Sequence, residues 1–168
     1  MTTTPLTDTD LRHVERAVEL AGEALRAGDE PFGSVLTGAD GHLLRAARNR
    51  VRTGGDGTRH PEFELARWAA EHLDAYERRR TVVFTSGEHC PMCAAAHGWA
   101  GMGRIVYAHS SAQLTRWLAE IGVAPSPVAP LRIQEVVPGA DTVGPLPAFT
   151  ARLRTMHHAC HAGRDRTA

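Results

Sequence analysis

Two segments restrict this chain more than any other feature: His60-Pro61-Glu62 and Glu88-His89-Cys90-Pro91-Met92-Cys93. Each places a metal-donor side chain directly before a proline. Proline suits the first position of a helix, where its missing N–H leaves no hydrogen bond unmade, so His60 and Cys90 are predicted at two helix caps. Cys90 and Cys93 are three apart and share one helix face, so both sulfurs can hold one ion. The positive end of a helix dipole favours the thiolate that a metal requires. A fold that satisfies both segments must bring two helix N-termini together around one ion.

The rest of the pattern supplies such a fold. Leu11, Val14, Val18, Ala21 and Leu25 recur at helical steps, predicting a helix over 10–27 capped by Asp8 or Asp10 and ended by Gly28. Phe32–Leu36 and His42–Ala47 read as a hairpin around Ala39-Asp40-Gly41, and Gly54–Thr58 as a loop. A helix from His60 to about Tyr76, a strand over Thr81–Ser86, a helix over Pro91–Ala100 and a strand over Arg104–Ala108 follow. A helix at 111–121, a proline-rich link from Pro125 to Pro130, an alternating strand over Leu131–Val137 and a helix at 146–161 complete the chain. Strands alternating with helices after an opening hairpin imply an α/β fold, a three-layer α/β/α sandwich on a five-stranded mixed sheet. The 168 residues suit a single domain spanning 1–168, with its core at about 10–160.

Composition excludes several classes. At 42% hydrophobic and 23% charged, the chain is neither disordered nor fibrous. Nineteen basic residues, all arginine, balance nineteen acidic ones, and a formal net charge of zero argues against nucleic acid as the main partner. The run Arg78-Arg79-Arg80 reads as a solvated helix end. No apolar run approaches the ~18–20 residues that span a bilayer, so no membrane partner is expected. The start, Met1-Thr2-Thr3-Thr4-Pro5, has neither the basic nor the apolar part of an export signal. Together with three cysteines, an odd number, this points to a reducing cytoplasm and to thiols used for chemistry.

Three protein ligands, His60, Cys90 and Cys93, leave one position of a tetrahedral zinc open, as catalytic zinc sites do. Glu62, two residues beyond the histidine, is placed to shuttle a proton. A redox pair of the thioredoxin type would explain Cys90 and Cys93 but not His60-x-Glu62. A closed structural zinc site would need a fourth ligand, from His89 or Cys160.

The pattern His60-x-Glu62…Cys90-x-x-Cys93 resembles the zinc-dependent cytidine deaminase superfamily, whose signature is H-x-E…P-C-x-x-C. The resemblance covers about 10–160. Within it, Pro31-Phe32-Gly33-Ser34-Val35, Asn49 and Ser86-Gly87-Glu88-x-Cys90-Pro91-Met92-Cys93 are most similar to the guanine deaminase and nucleobase deaminase branch. The resemblance implies a zinc-dependent aminohydrolase with zinc on His60, Cys90 and Cys93, and Glu62 as the proton carrier. It implies that Asn49 hydrogen-bonds the base and that Phe32 and Trp99 shape an apolar slot. It also implies a homodimer, with the C-terminal helix 146–161 closing an active site.

Two positions depart from the family pattern. Pro61 stands where alanine is usual and alters the small surface beside the base. His89 stands where proline is usual, at the pocket rim or in competition for the metal. Glu120 is either an acidic contact to a ring amine or an exposed helix residue. His157-His158-Ala159-Cys160-His161 reads as a fraying helix end, or as a segment with His157 or His161 over the pocket mouth.

The expected substrate is a small nucleobase or nucleoside, with guanine first. Cytosine-type rings, isocytosine, aminotriazines and nucleosides are the alternatives. A tRNA adenosine and a non-catalytic zinc or redox module rank below them.

Overall fold

The computed structural model describes residues 5–162. Met1–Thr4, read above for an export signal, and residues 163–168 of the predicted domain lie outside the described residues. In chain order the elements are α1 (Asp8–Arg26), β1 (Gly33–Thr37), β2 (Leu43–Arg48), α2 (Val51–Gly54), α3 (Pro61–His72), α4 (Ala75–Arg78) and β3 (Val82–Gly87). After them come α5 (Pro91–Ala100), β4 (Arg104–His109), α6 (Ser111–Glu120), α7 (Ile133–Val136), β5 (Thr142–Val143) and α8 (Pro147–His161).

The five strands form one mixed sheet in the order β2-β1-β3-β4-β5. The first three strands in that order pair antiparallel, while β3, β4 and β5 run parallel. Alternation along each strand divides the core. Val35, Phe84, Val106 and Ala108 face α1, α6 and α8, where they meet Val14, Val18, Trp117 and Leu153. Leu36 and Val83 face the other way, onto Leu65 and Ala69 of α3, and Ile105 and Tyr107 pack with Ala94 of α5 and Ile133 of α7. The result is the three-layer sandwich expected.

Gly33 marks the tightest contact between layers: a Cβ there would lie 2.4 Å from the Ala17 carbonyl oxygen and from Leu20 Cβ. Only glycine lets α1 lie this close to β1.

The structure corrects four expectations. The first helix is capped by Thr7, not by Asp8 or Asp10; Asp10 completes a capping box by accepting from the Thr7 N–H. The helix predicted to run to Tyr76 stops at His72, because Asp74 caps a separate turn with Glu77. Gly54, predicted to open the loop, instead closes the short helix Val51–Gly54, and the loop starts at Gly55. Leu131–Val137 is not a strand. Its alternation is coincidental, since Ile133 alone of the segment is buried and starts α7, while the fifth strand is the short Thr142–Val143.

The arginine run is also less uniform than predicted. Arg78 donates to the carbonyls of Ala100, at 2.6 Å, and Leu73, and so ties α4 to the end of α5.

Candidate active site

The helices α3 and α5 lie against the same face of the sheet, and their N-termini converge. His60 and Cys90 are N-caps in extended conformation, each followed by proline at the first helical position. His60 Nδ1 lies 3.6 Å from Cys90 Sγ and 3.6 Å from Cys93 Sγ, and the sulfurs are 3.5 Å apart. A tetrahedral zinc with bonds of about 2.3 Å to sulfur and about 2.05 Å to nitrogen needs N···S of about 3.6 Å and S···S of about 3.8 Å. The three donors therefore fit one zinc ion. Their ligating atoms lie within 4.8 Å of one another, and they form the one such cluster among the described residues.

The electrostatics suit a cation. The Cys90 thiol is pulled down to about 4, first by the hydrogen bond from Cys93 and then, against the cost of burial, by His60. Cys93 is pushed well up, first by sharing its proton with Cys90 and then by burial. Without metal the pair thus holds its first negative charge on Cys90, and that sulfur raises the imidazole of His60.

Glu62 sits in the first turn of α3 and is only 6% exposed. Its Oε1 accepts hydrogen bonds from Thr85 Oγ1 at 2.7 Å and from Ser34 Oγ at 3.1 Å. Its Oε2 faces the cluster, 3.8 Å from Cys93 Sγ. Burial raises its pKa above the ordinary carboxylate value, opposed first by His60 and then by the Thr85 hydroxyl. Ser34 and Thr85 are register partners across β1 and β3. Their roles were missed in the sequence, although hydroxyl residues inside largely apolar strands were a visible signal.

Asn49 is buried at the end of β2. Its Oδ1 accepts from the Val51 N–H at 3.0 Å, and its own N–H donates to the Phe32 carbonyl at 2.9 Å. Its Nδ2 makes no hydrogen bond among the described residues. Asp29 holds this corner by accepting from the N–H groups of Arg52 and Thr53 and from the side chains of Thr53 and Arg48. Phe32 is half-buried, one residue before the Gly33 N–H that donates to Ser86 Oγ. Pro61 is buried between His60 and Glu62.

Other candidates contribute no donor to the cluster. Trp99 is 91% exposed on the outer side of α5, beside a shallow apolar groove bordered by Phe63, Ala70 and Ala100. Glu120 is exposed at the end of α6 and pairs with Arg154 at 2.6 Å. His89 is buried edge-on to His97, with ring centroids 5.4 Å apart. Neither ring nitrogen of His89 has a hydrogen-bond partner, and its imidazole stands outside the three-ligand cluster. Cys160 lies near the Asp29 carbonyl, at 3.8 Å, and is also outside the cluster. A groove of about 370 Å³ reaches the cluster only through His60 and is lined by paired charges such as Arg45–Glu64 and Arg67–Glu71.

Sequence reasoning also missed Glu88. This buried carboxylate accepts from the Ser111 N–H at 2.8 Å and from the Ile133 N–H at 3.2 Å, capping both α6 and α7 two residues before Cys90.

Residues 7–109 match the family described as the cytidine and deoxycytidylate deaminase zinc-binding region. The chain is 40% identical to guanine deaminase of Bacillus subtilis (strain 168) over 96 residues, 56% of this chain and 61% of that protein. It is 28% identical to a probable cytosine deaminase of Schizosaccharomyces pombe over 125 residues, 74% of this chain and 75% of that protein. A solved guanine deaminase from Nitrosomonas europaea superposes with a TM-score of 0.69 at 23% identity, covering 92% of this chain and 87% of that one, and shares its fold. With the His-Cys-Cys cluster and the buried glutamate beside it, the match over 7–109 establishes that this chain belongs to the cytidine and deoxycytidylate deaminase zinc-binding family.

Proposed function

We propose that this protein is a zinc-dependent aminohydrolase that deaminates a small amino-substituted nucleobase, with guanine the first choice. One observation carries the reading. Glu62 is buried beside a three-donor cluster with one carboxylate oxygen tied back and the other turned toward the ligands. His60, Cys90 and Cys93 would hold the zinc. When bound there with an open fourth position, zinc lowers the pKa of water from about 15.7 to about 7, supplying a hydroxide nucleophile at neutral pH.

The protein's own groups handle the protons. Thr85 and Ser34 occupy Oε1 of Glu62, so Oε2 is the oxygen that carries the proton. Glu62 takes it from the attacking water, gives it to the ring nitrogen beside the amine-bearing carbon, then takes the proton of the newly added hydroxyl and passes it to the amine. Ammonia leaves and a ring carbonyl remains, with one water consumed. Asn49 Nδ2 is free to donate to the base, and Phe32 supplies an apolar wall. Burial raises the pKa of Glu62, the direction that helps a carboxylate hold a proton between accepting it and returning it.

Guanine is favoured by the likeness to the Bacillus guanine deaminase. Cytosine-type rings are the second reading, favoured by the likeness to the Schizosaccharomyces protein. A base held in RNA is disfavoured by a net charge of zero.

The protein also acts as a homodimer in this reading, its interface at Trp99 and the groove between α3 and α5. A bare tryptophan on α5, beside the apolar groove that α5 forms with α3, is the support, and an isologous dimer would cover it with its own copy. A reducing cytoplasm suits a site built on two thiols. Among the described residues no helix is long and apolar enough to cross a membrane.

Ammonia release from a panel of aminopurines and aminopyrimidines tests the activity, with Glu62→Ala as control. Turnover of guanine that disappears in the control is expected. Bound zinc with no ammonia from any compound would replace the reading with a zinc-binding module.

A further inference from the structure

In an α/β sheet, ligands are met at the carboxyl ends of the strands. β3 ends at Gly87 and β4 at His109, and these two are register partners. A Cβ on Gly87 would lie 2.9 Å from Cε1 and Nε2 of His109 and 3.0 Å from Cε1 of Phe32. Glycine at this position therefore lets both rings close over the end of β3.

A third ring comes from the far end of the chain. His157, 1% exposed on α8, packs edge-on to Phe32 at 5.0 Å and to His109 at 5.1 Å. Trp117 of α6 backs the group, 5.2 Å from His109. The two imidazoles also touch through their polar atoms, with Nε2 of His109 and Nε2 of His157 3.3 Å apart. His109 Nδ1 faces the Ser110 carbonyl at 3.3 Å, which assigns the proton to Nδ1 and leaves Nε2 as an acceptor. His157 Nε2–H is then the donor. Burial holds both rings below the ordinary imidazole range, His109 at about 4, so the pair is uncharged at neutral pH.

Phe32 links this box to the chemistry. Its carbonyl accepts from Asn49, and two residues on, Ser34 donates to Glu62. We propose that His157 and His109 are positioning residues for the substrate: their hydrogen-bonded pair fixes the ring of Phe32 as one wall of the slot for a flat, bicyclic amino-heterocycle. The C-terminal helix thus reaches the site from within, through Phe32, and sets how firmly and how snugly the base is held. The proposal rests on the deaminase reading for the identity of that slot.

The test separates the two. Ammonia release by the wild-type protein scores the deaminase reading. The proposal is scored by binding of guanine to zinc-loaded Glu62→Gln protein, with and without His157→Ala, where no turnover is needed. His157→Ala is expected to weaken guanine binding about tenfold. In the otherwise wild-type enzyme it is expected to raise KM to a similar degree, with kcat within about threefold, the pattern of lost uniform binding. His157→Gln, which can again donate to His109 Nε2, is expected to recover most of the loss, and His157→Leu is not. Where His157→Ala does not fold, His109→Leu makes the same cut from the other side. Unchanged guanine binding in these variants with only a lower Tm would overturn the proposal. So would the absence of guanine binding by the Glu62→Gln parent.

Discussion

Thr85 holds Glu62 from across the sheet: its Oγ1 donates to Oε1 of the carboxylate at 2.7 Å, from the strand that leads directly to the cysteine ligands. One hydroxyl thus fixes which carboxylate oxygen faces the cluster. A hydrogen bond to a charged group is worth about 1.5–3 kcal/mol, or roughly 10- to 100-fold in rate if lost in the transition state. Thr85→Val is expected to lower kcat by that order with zinc content unchanged. Steady-state kinetics with metal analysis checks it, and Thr85→Ser should retain most of the rate.

Glu62 also makes stability depend on pH. Burial raises its folded pKa above the unfolded value, so the native state favours the neutral acid. The stability this contributes is full below the unfolded value and is lost as pH rises through the higher folded value. Glu62→Gln keeps the neutral form at every pH. In metal-free protein its Tm advantage over wild type is therefore expected to grow from pH 4 to pH 8, which calorimetry at several pH values measures.

His89 stabilises little as a polar residue. Both of its ring nitrogens are buried without a partner, and burial lowers its pKa well below the imidazole range. An unsatisfied buried polar group costs about 1–3 kcal/mol. His89→Leu is expected to raise the unfolding free energy of the zinc-loaded protein by about 1 kcal/mol. Urea denaturation reads this directly, and a loss of stability would mean that the ring has a partner in solution.

Trp99 carries the dimer prediction. Trp99→Glu places a charge on the lining of the α3–α5 groove, where a second copy would bury it. Sedimentation is expected to show the wild-type protein as a dimer and the variant as a monomer. A monomeric wild type would remove the proposed interface.

Much of this was legible before any coordinates, for physical reasons. His60-Pro61 and Cys90-Pro91 encode both cap geometry and donor identity locally, so the cluster of three candidate metal donors could be read from spacing. The sheet was legible through Val35, Phe84 and Val106, which sit in β-branched or aromatic runs. Leu131–Val137 misled because a four-residue helix with one buried residue, Ile133, has no periodicity to detect. The contacts of Ser34, Thr85 and Glu88 were hidden for another reason, as was the packing of His157, which the sequence offered only as a fraying end or a residue over the pocket mouth. Their partners lie at least 23 residues away, a proximity that only the folded chain creates.

The Glu88 carboxylate has a consequence beyond its two hydrogen bonds. It joins the starts of α6 and α7 to the loop that carries Cys90, so the metal-binding loop and the C-terminal half of the sandwich share one rivet. A distortion at either end is transmitted to the other through this side chain, and residues 111–133, with α6 among them, form a span whose first and last N–H groups are gripped by one carboxylate.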